Sequence, residues 1–245
     1  MSSQAVSRRR ALAAALVVTV LWSSSWVLIR AGLHDDRLPP LTFAGLRYGT
    51  AAAVLWAAVA SNRTARGQVA GLTRRSTGQL AVLGLVFYAL TQGAQFVAIG
   101  SQLVATSSLF LTLTPLLVGL TSGQLLSERP SRAQAAAAVL MPAGAVAYFT
   151  GTLGATPTGL AACAVTLAAN AGGSLLGRAI NRDATTAPLV TTTVSMTIGA
   201  VVLLAAGAGA EGWPALSGQA VVIIAWLAII NTAVASPCGT SRCVI

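Results

Sequence analysis

The sequence predicts an all-α integral membrane protein, and three observations carry that prediction. Hydrophobic residues make up 55% of the 245 residues and charged residues only 8%, whereas a soluble domain carries about 25% charged residues. The charges are confined to gaps between long uncharged stretches, with Arg47 as the exception. The stretches reach the ~20 residues that a helix needs to cross a bilayer. Because lipid offers no hydrogen-bond partners, such spanning segments must be helical.

Eight spanning helices are predicted from these stretches. Two of the uncharged stretches, 76–127 and 133–177, are long enough for two helices each, and we place the breaks at 100–102 and 151–157. An N-terminal signal peptide is a poorer interpretation of the first stretch, because that stretch is long and seven similar segments follow it. The stretches that supply one helix each are 11–29, 38–62, 184–210 and 212–241.

The placement of arginine predicts the orientation, because cytoplasmic loops of membrane proteins carry an excess of basic residues. With a cytoplasmic N-terminus, only Arg37 and Arg30 fall at the outer side. The chain is therefore predicted to lie in the plasma membrane with both termini in the cytoplasm. The arginines of the cytoplasmic segments are Arg8, Arg9, Arg10, Arg63, Arg66, Arg74, Arg75, Arg129, Arg132, Arg178, Arg182 and Arg242.

Several functional classes are disfavoured by composition. The formal charge of +10 comes without a basic cluster interleaved with aromatic residues, so no nucleic-acid partner is predicted. The three cysteines do not suggest a disulfide framework or a metal site, and no cofactor is predicted. His34 is the only histidine and lysine is absent, so an intramembrane serine enzyme would lack its base. The predicted partners are the bilayer and a small-molecule substrate, and a homo-oligomer is compatible with the sequence.

An internal repeat is predicted at a shift of 148 positions. Its matches involve arginine, aspartate and proline, which are scarce in this chain. Five helices separate the two copies, so the second copy is inverted relative to the first, an architecture common in secondary transporters. The paired residues are Arg30 with Arg178, Asp35 with Asp183, and Pro40-Leu41 with Pro188-Leu189.

The repeat predicts inverted five-helix repeats, of which five plus three helices are present out of an expected ten. The first repeat covers residues 1–151, an incomplete second repeat covers 152–235, and a polar tail covers 236–245. We expect that two helices are missing, through a lost reading frame or a truncated product.

A series of motifs along the chain resembles the EamA family of the drug/metabolite transporter superfamily. The resemblance implies ten helices in two inverted repeats and the export or exchange of small metabolites, such as amino acids, purine-like metabolites or drugs, by alternating access. A non-transporting remnant or partial subunit of such a carrier is the alternative. The motifs are Leu21-Trp22-Ser23-Ser24-Ser25-Trp26, Pro39-Pro40-Leu41-Thr42, Leu46-Arg47-Tyr48, Leu113-Thr114-Pro115, Ser127-Glu128-Arg129 and Ala143-Gly144-Ala145-Val146.

Arg47 is the most informative polar residue of the predicted spans. A charged arginine at a helix centre costs about 2.5–3.5 kcal/mol on insertion scales, and less near the helix ends. Its guanidinium is predicted either to extend to the outer interface or to face the pore. A pore-facing guanidinium would bind an anionic substrate group or hold helices together through backbone carbonyls. The repeat places Ser195 at the equivalent position.

The other candidate substrate-pathway residues are polar or aromatic groups inside the predicted spans. Two tryptophans of the first helix share one face, with a serine beside it, and helix packing is the alternative role for all three. A polar stripe at i, i+4 and i+7 on the third helix must face the bundle interior. An asparagine on the sixth helix aligns with the first tryptophan through the repeat. These residues are Trp22, Ser25, Trp26, Tyr88, Gln92, Gln95 and Asn170.

Two prolines and one ion pair complete the predicted sites. Pro115 and Pro142 lie within predicted helices 4 and 5, where each frees a backbone carbonyl and bends its helix, as a gating hinge or as a static kink. Glu128 and Arg129 are predicted to form an ion pair at the cytoplasmic end of helix 4. No carboxylate is predicted inside the hydrocarbon region, which favours facilitated export or exchange over proton coupling.

Overall fold

We analysed a computed structural model that describes residues 19–20, 23–125, 131–149, 153–182 and 186–230. All regular secondary structure in these residues is helical. The described residues contain five helical segments that are long and apolar enough to cross a membrane: Pro40–Ser61, Arg74–Ser101, Val104–Gly123, Pro157–Arg182 and Pro188–Ala210. The prediction of an all-α membrane protein is therefore confirmed, and the count of eight spans stays a prediction. Calls on Trp22, Glu128, Arg129 and the tail 236–245 lie outside the described residues.

The helical elements follow one another with short connections. We label them α1 (23–34), α2 (Pro40–Ser61), α3 (Arg63–Ala70), α4 (Arg74–Leu83), a π-helical segment (Gly84–Leu90), α5 (Thr91–Ser101), α6 (Val104–Thr112), α7 (Thr114–Leu125), α8 (Arg132–Phe149), α9 (Pro157–Arg182), α10 (Pro188–Ala210) and α11 (Gly218–Ala228).

The helix boundaries agree closely with the gaps in the uncharged stretches. Helix α5 ends at Ser101 and α6 begins at Val104, which confirms the break predicted at 100–102. Helix α11 begins at Gly218, inside the uncharged stretch 212–241 that was predicted to supply one helix. Gly212 has φ +81° and starts a non-helical stretch that ends where the Ser217 side chain accepts a hydrogen bond from the Ala220 amide. That side-chain cap starts the helix six residues after the uncharged stretch begins.

The bundle is built around the contact between α2 and α10, and each of these helices begins in the same way. Pro40 and Pro188 occupy the first turns, where a proline needs no hydrogen bond from its nitrogen. The residues before them are extended, with φ −61° and ψ 132° at Pro39 and φ −62° and ψ 143° at Ala187. Of all pairs of elements, α2 and α10 share the most extensive contact.

Glu211 caps the first turn of α2 from the far end of α10. The Leu41 amide donates to both carboxylate oxygens at 3.2 and 3.0 Å, and the Thr42 amide donates to Oε2 at 3.1 Å. These amides are among the donors that a helix start leaves unpaired, and a negative charge there is favoured by the helix dipole. Glu211 therefore joins the outer ends of α2 and α10.

Replacing Glu211 with alanine should lower the free energy of unfolding by about 1–2 kcal/mol, because both the cap and the charge–dipole interaction are lost. The measurement is reversible unfolding of the purified protein in mixed micelles. Asp35→Ala is the matched control, because Asp35 is an exposed carboxylate at the same end of the bundle. Equal effects of the two substitutions would contradict the capping role.

Hydrogen bonds between loops define the two ends of the bundle. At one end, the Ser217 hydroxyl donates to Asp36 Oδ1 at 2.6 Å, near the Glu211 cap. At the other end, the side-chain oxygen of Gln68 in α3 accepts from the Ala187 amide at 3.0 Å. The first end carries the described carboxylates, and we call it the outer end after its predicted orientation. The loops that meet at this end, α1–α2 and α10–α11, are loops that the arginine pattern predicts on the outer side of the membrane.

Candidate functional site

Arg47 lies inside the bundle rather than at its surface. Its residue is 8% exposed, and its guanidinium carbon is 4.9 Å from the ring centroid of Tyr48 and 5.9 Å from that of Phe96. Both distances fit cation–π contact. Among the described residues, the buried Nε atom has no hydrogen-bond partner. The described carboxylates lie in the outer loops, so within the described part of the chain the charge contacts aromatic rings and no carboxylate.

Aromatic rings continue from Arg47 in two directions. Phe96 meets Phe43 edge to face, with ring centroids 5.1 Å apart. Tyr48 meets Tyr88 at 5.7 Å, and Tyr88 meets Phe87 at 5.4 Å. Edge-to-face pairs at such distances are each worth about 0.5–1.5 kcal/mol beyond their area burial. The cluster connects α2 to the π-helical segment and to α5.

The π-helical segment positions Tyr88 for this cluster. The Thr91 backbone amide donates to the carbonyl of Val86, five residues earlier, as expected for the wider turn of a π-helix. Thr91 Oγ1 donates to the same carbonyl at 2.9 Å. The Phe87 ring packs directly against Gly173 of α9, in the space that a Cβ atom at residue 173 would occupy. The segment thus directs adjacent aromatic side chains toward α2 and α9.

A second group of polar side chains lies where α9 packs against α5, α6 and α7. Gln102 Nε2 donates to Ser107 Oγ and to Cys163 Sγ, both at 3.1 Å. Nearer the other end, Asn170 Nδ2 donates to Thr114 Oγ1 at 3.3 Å. We call this closely packed set of side chains the polar groove; its members are Gln95, Gln102, Ser107, Thr114, Cys163, Thr166 and Asn170.

The groove members recur at seven-residue spacing. Gln95 and Gln102, Ser107 and Thr114, and Cys163 and Asn170 are each seven residues apart. Cys163 and Asn170 both belong to α9, so a spacing of almost two turns places them near the same face of that helix. Gln102 is the extended residue that follows α5, and Leu113 interrupts the helix between Ser107 and Thr114. Through Cys163 and Asn170, the polar contacts run along α9 from the outer end of the bundle into its interior.

The sequence matches a known family over the part of the chain that carries Arg47, the aromatic cluster and half of the polar groove. The match is to the EamA-like transporter family and covers residues 9–150, more than half of the chain. The chain belongs to the EamA-like transporter family. A search of curated proteins found no match. Family membership makes this a membrane transporter of the drug/metabolite type, and it confirms the resemblance inferred from the motifs.

In this EamA-like chain, the predicted stripe of Tyr88, Gln92 and Gln95 does not form one surface. Tyr88 packs in the aromatic cluster, whereas Gln95 lines the polar groove. The i, i+4, i+7 rule assumes an α-helix, but the stripe begins in the π-helical segment, whose wider turn shifts the register. Gln92 is half-buried between them.

The remaining predicted residues take less central positions. Ser25 is buried, and Trp26 packs against the main hydrophobic core. Pro115 is exposed in the first turn of α7, just after the helix is interrupted at Leu113. Pro142 lies inside α8, which continues from Arg132 to Phe149. Asn170 contacts Thr114 in the polar groove, on a different helix interface from Ser25 and Trp26, and its role in the pore stays a prediction.

Sequence reasoning missed several members of the site. Phe96, Ser107, Cys163 and Thr166 were not singled out, and Gln102 was used only to mark a helix break. The seven-residue recurrence of polar side chains along the sequence was the available signal. It becomes visible only when the partner helices are known, because serine and threonine are also common packing residues in membrane helices.

Proposed function

We propose that this chain is a multi-pass carrier of the plasma membrane that exports or exchanges small metabolites by alternating access, and that Arg47 meets an anionic group of the substrate. The termini are cytoplasmic in this proposal. Amino acids, purine-like metabolites and acidic drugs are the substrate classes, because each presents a carboxylate, phosphate or similar acceptor beside an aromatic or apolar body.

The buried guanidinium of Arg47 carries this proposal. Removing a charged group from water costs several kcal/mol, whereas a cation–π contact returns about 0.5–2 kcal/mol. The unpartnered Nε atom leaves a donor that a carboxylate or phosphate oxygen would satisfy with a strong, charge-assisted hydrogen bond. The surrounding rings of Tyr48, Tyr88 and Phe96 would hold the apolar part of the same ligand.

The pairing of helices supports the inverted repeat that alternating access would use. A shift of 148 positions carries α2 onto α10, so these two helices are the equivalent elements of the two repeats. Their mutual contact therefore joins equivalent parts of the two halves. The same shift carries α4 onto α11, and the contact of α4 with α10 corresponds to the contact of α11 with α2. Exchange of two such halves around a shared site is the usual mechanism of secondary transporters.

Transport is tested with the purified protein in proteoliposomes loaded with radiolabelled amino acids, purine nucleotides or benzoate. We expect saturable efflux of at least one anionic compound and none from protein-free vesicles. Absence of flux for the whole panel would contradict the carrier function and would favour a non-transporting protein of the same fold.

Gln95→Leu should lower the transport rate about tenfold, which corresponds to the loss of one hydrogen bond of ~1.4 kcal/mol to a polar substrate in the groove. Gln219→Leu is the matched control, because Gln219 is exposed in the first turn of α11. Initial efflux rates at equal protein incorporation provide the comparison. An unchanged rate in the Gln95 variant would remove the polar groove from the pathway.

A further inference from the structure

A cavity opens at the outer end of the bundle, beside the polar groove. Its volume is about 320 Å³, at the lower limit of typical small-molecule pockets. It lies between the end of α1, the α5–α6 connection and the segment that precedes α9. Its lining includes Arg30, His34, Gln102, Leu103, Ala155 and Thr156.

Arg30 is held in this cavity by its own hydrogen bonds. Nη1 donates to the carbonyls of Ile99 and Gln102 at 2.8 and 3.0 Å. These carbonyls belong to the end of α5, where a cation is favoured by the helix dipole. Within the described residues, the Nε and Nη2 groups have no hydrogen-bond partner. The free side of the guanidinium therefore keeps the two parallel N–H groups that bind a carboxylate bidentately.

The charge of the lining favours an anion. His34 follows Arg30 by four residues, so both side chains lie on one face of α1, and His34 is exposed. The nearest acidic residues are Asp35, which is exposed, and Asp36, whose Oδ1 accepts from Ser217. Neither aspartate lines the cavity.

The walls of the cavity are tied together by hydrogen bonds. Thr106 Oγ1 donates to the Gly154 carbonyl at 2.7 Å, and the Thr156 hydroxyl donates to the Ser101 carbonyl at 3.1 Å. Gln102 lines the cavity while its side-chain amide donates to Ser107 and Cys163 in the polar groove. One buried side chain thus stands between the cavity and the groove.

We propose that this outer cavity binds small organic anions, with the Nε and Nη2 groups of Arg30 gripping a carboxylate and His34 supplying a further donor. The apolar part of the ligand lies against Leu103 and Ala155. The role of the site as an outer station for the transported substrate rests on the proposed carrier function. Binding itself requires no transport and is tested separately.

The test uses full-length protein in nanodiscs and saturation-transfer NMR with benzoate as the probe and benzamide as its neutral counterpart. Arg30→Gln should weaken benzoate binding at least tenfold and leave benzamide binding unchanged. Arg37→Gln removes the same charge from an exposed position at the same end of the bundle and should leave both probes unaffected. Equal weakening by both variants would reduce the effect to surface charge and overturn the proposal, as would unaltered benzoate binding in the Arg30 variant.

A steric variant covers the case in which Arg30→Gln unfolds the protein. Ala155→Trp fills the cavity from an exposed loop position and should abolish binding of both probes with Arg30 intact. Retained benzoate binding in this variant would place the anion elsewhere and overturn the proposal. Benzoate binding that depends on Arg30, in a protein without measurable flux, would refute the carrier function and leave the anion site standing.

Discussion

Replacing Arg47 with methionine is expected to abolish the transport of anionic substrates while the fold stays as stable as before or becomes more stable. Methionine fills a similar volume and removes a buried charge whose desolvation costs several kcal/mol. The lost cation–π contacts with Tyr48 and Phe96 are worth about 2 kcal/mol each in a desolvated site, which is of the same order as the desolvation cost that the substitution removes. Loss of function without loss of stability is the mark of a ligand-binding charge.

Efflux from proteoliposomes and thermal unfolding of the same preparations check this expectation. Leu46→Met, at the half-buried neighbouring position, is the control for introducing methionine into α2. Arg47→Lys keeps the charge but loses the planar, two-pronged donor group, and we expect it to retain a fraction of the rate. A large fall in stability of the methionine variant, parallel to the loss of transport, would show instead that Arg47 holds the helices together.

The boundaries of the helices were predictable because lipid penalises every charge and every unpaired backbone group. Helix α2 was predicted at 38–62 and observed at Pro40–Ser61, since charged and proline residues mark its two ends. The same penalty made Arg47 conspicuous. Its burial under two aromatic rings was beyond sequence reasoning, because Phe96 belongs to α5 and approaches only in the folded bundle.

The π-helical segment and the outer contacts depend on tertiary partners that local spacing does not reveal. Apart from Gly84 itself, the segment Gly84–Leu90 contains no helix-breaking residue. Glu211 caps an amide 170 positions away, and Gln102 reaches Cys163 across 61 positions. Such pairs leave no periodic trace in a single sequence, so the cap and the outer cavity appear only once the helices are packed.

Placing a side chain on Gly84 should prevent folding, because this glycine lies at the closest approach between the π-helical segment and α10. A Cβ atom on Gly84 would collide with the Ser195 carbonyl oxygen, and a Cβ on Gly199 would lie 2.7 Å from the Gly84 carbonyl oxygen. Backbone atoms cannot rotate away as a flexible side chain can. The helices would have to separate. We expect the free energy of unfolding to fall by about 3 kcal/mol or more, beyond the usual 1–3 kcal/mol cost of overpacking.

Gly84→Ala and Gly199→Ala should therefore each reduce the yield of monodisperse protein in detergent severely. Gly78→Ala in α4 is the matched control, because a Cβ atom there meets no atom within 4 Å. At an exposed helical position, replacing glycine with alanine is expected to raise the free energy of unfolding by at most about 1 kcal/mol. If Gly84→Ala and Gly78→Ala unfolded at the same temperature, α10 would not press on the π-helical segment as closely as described.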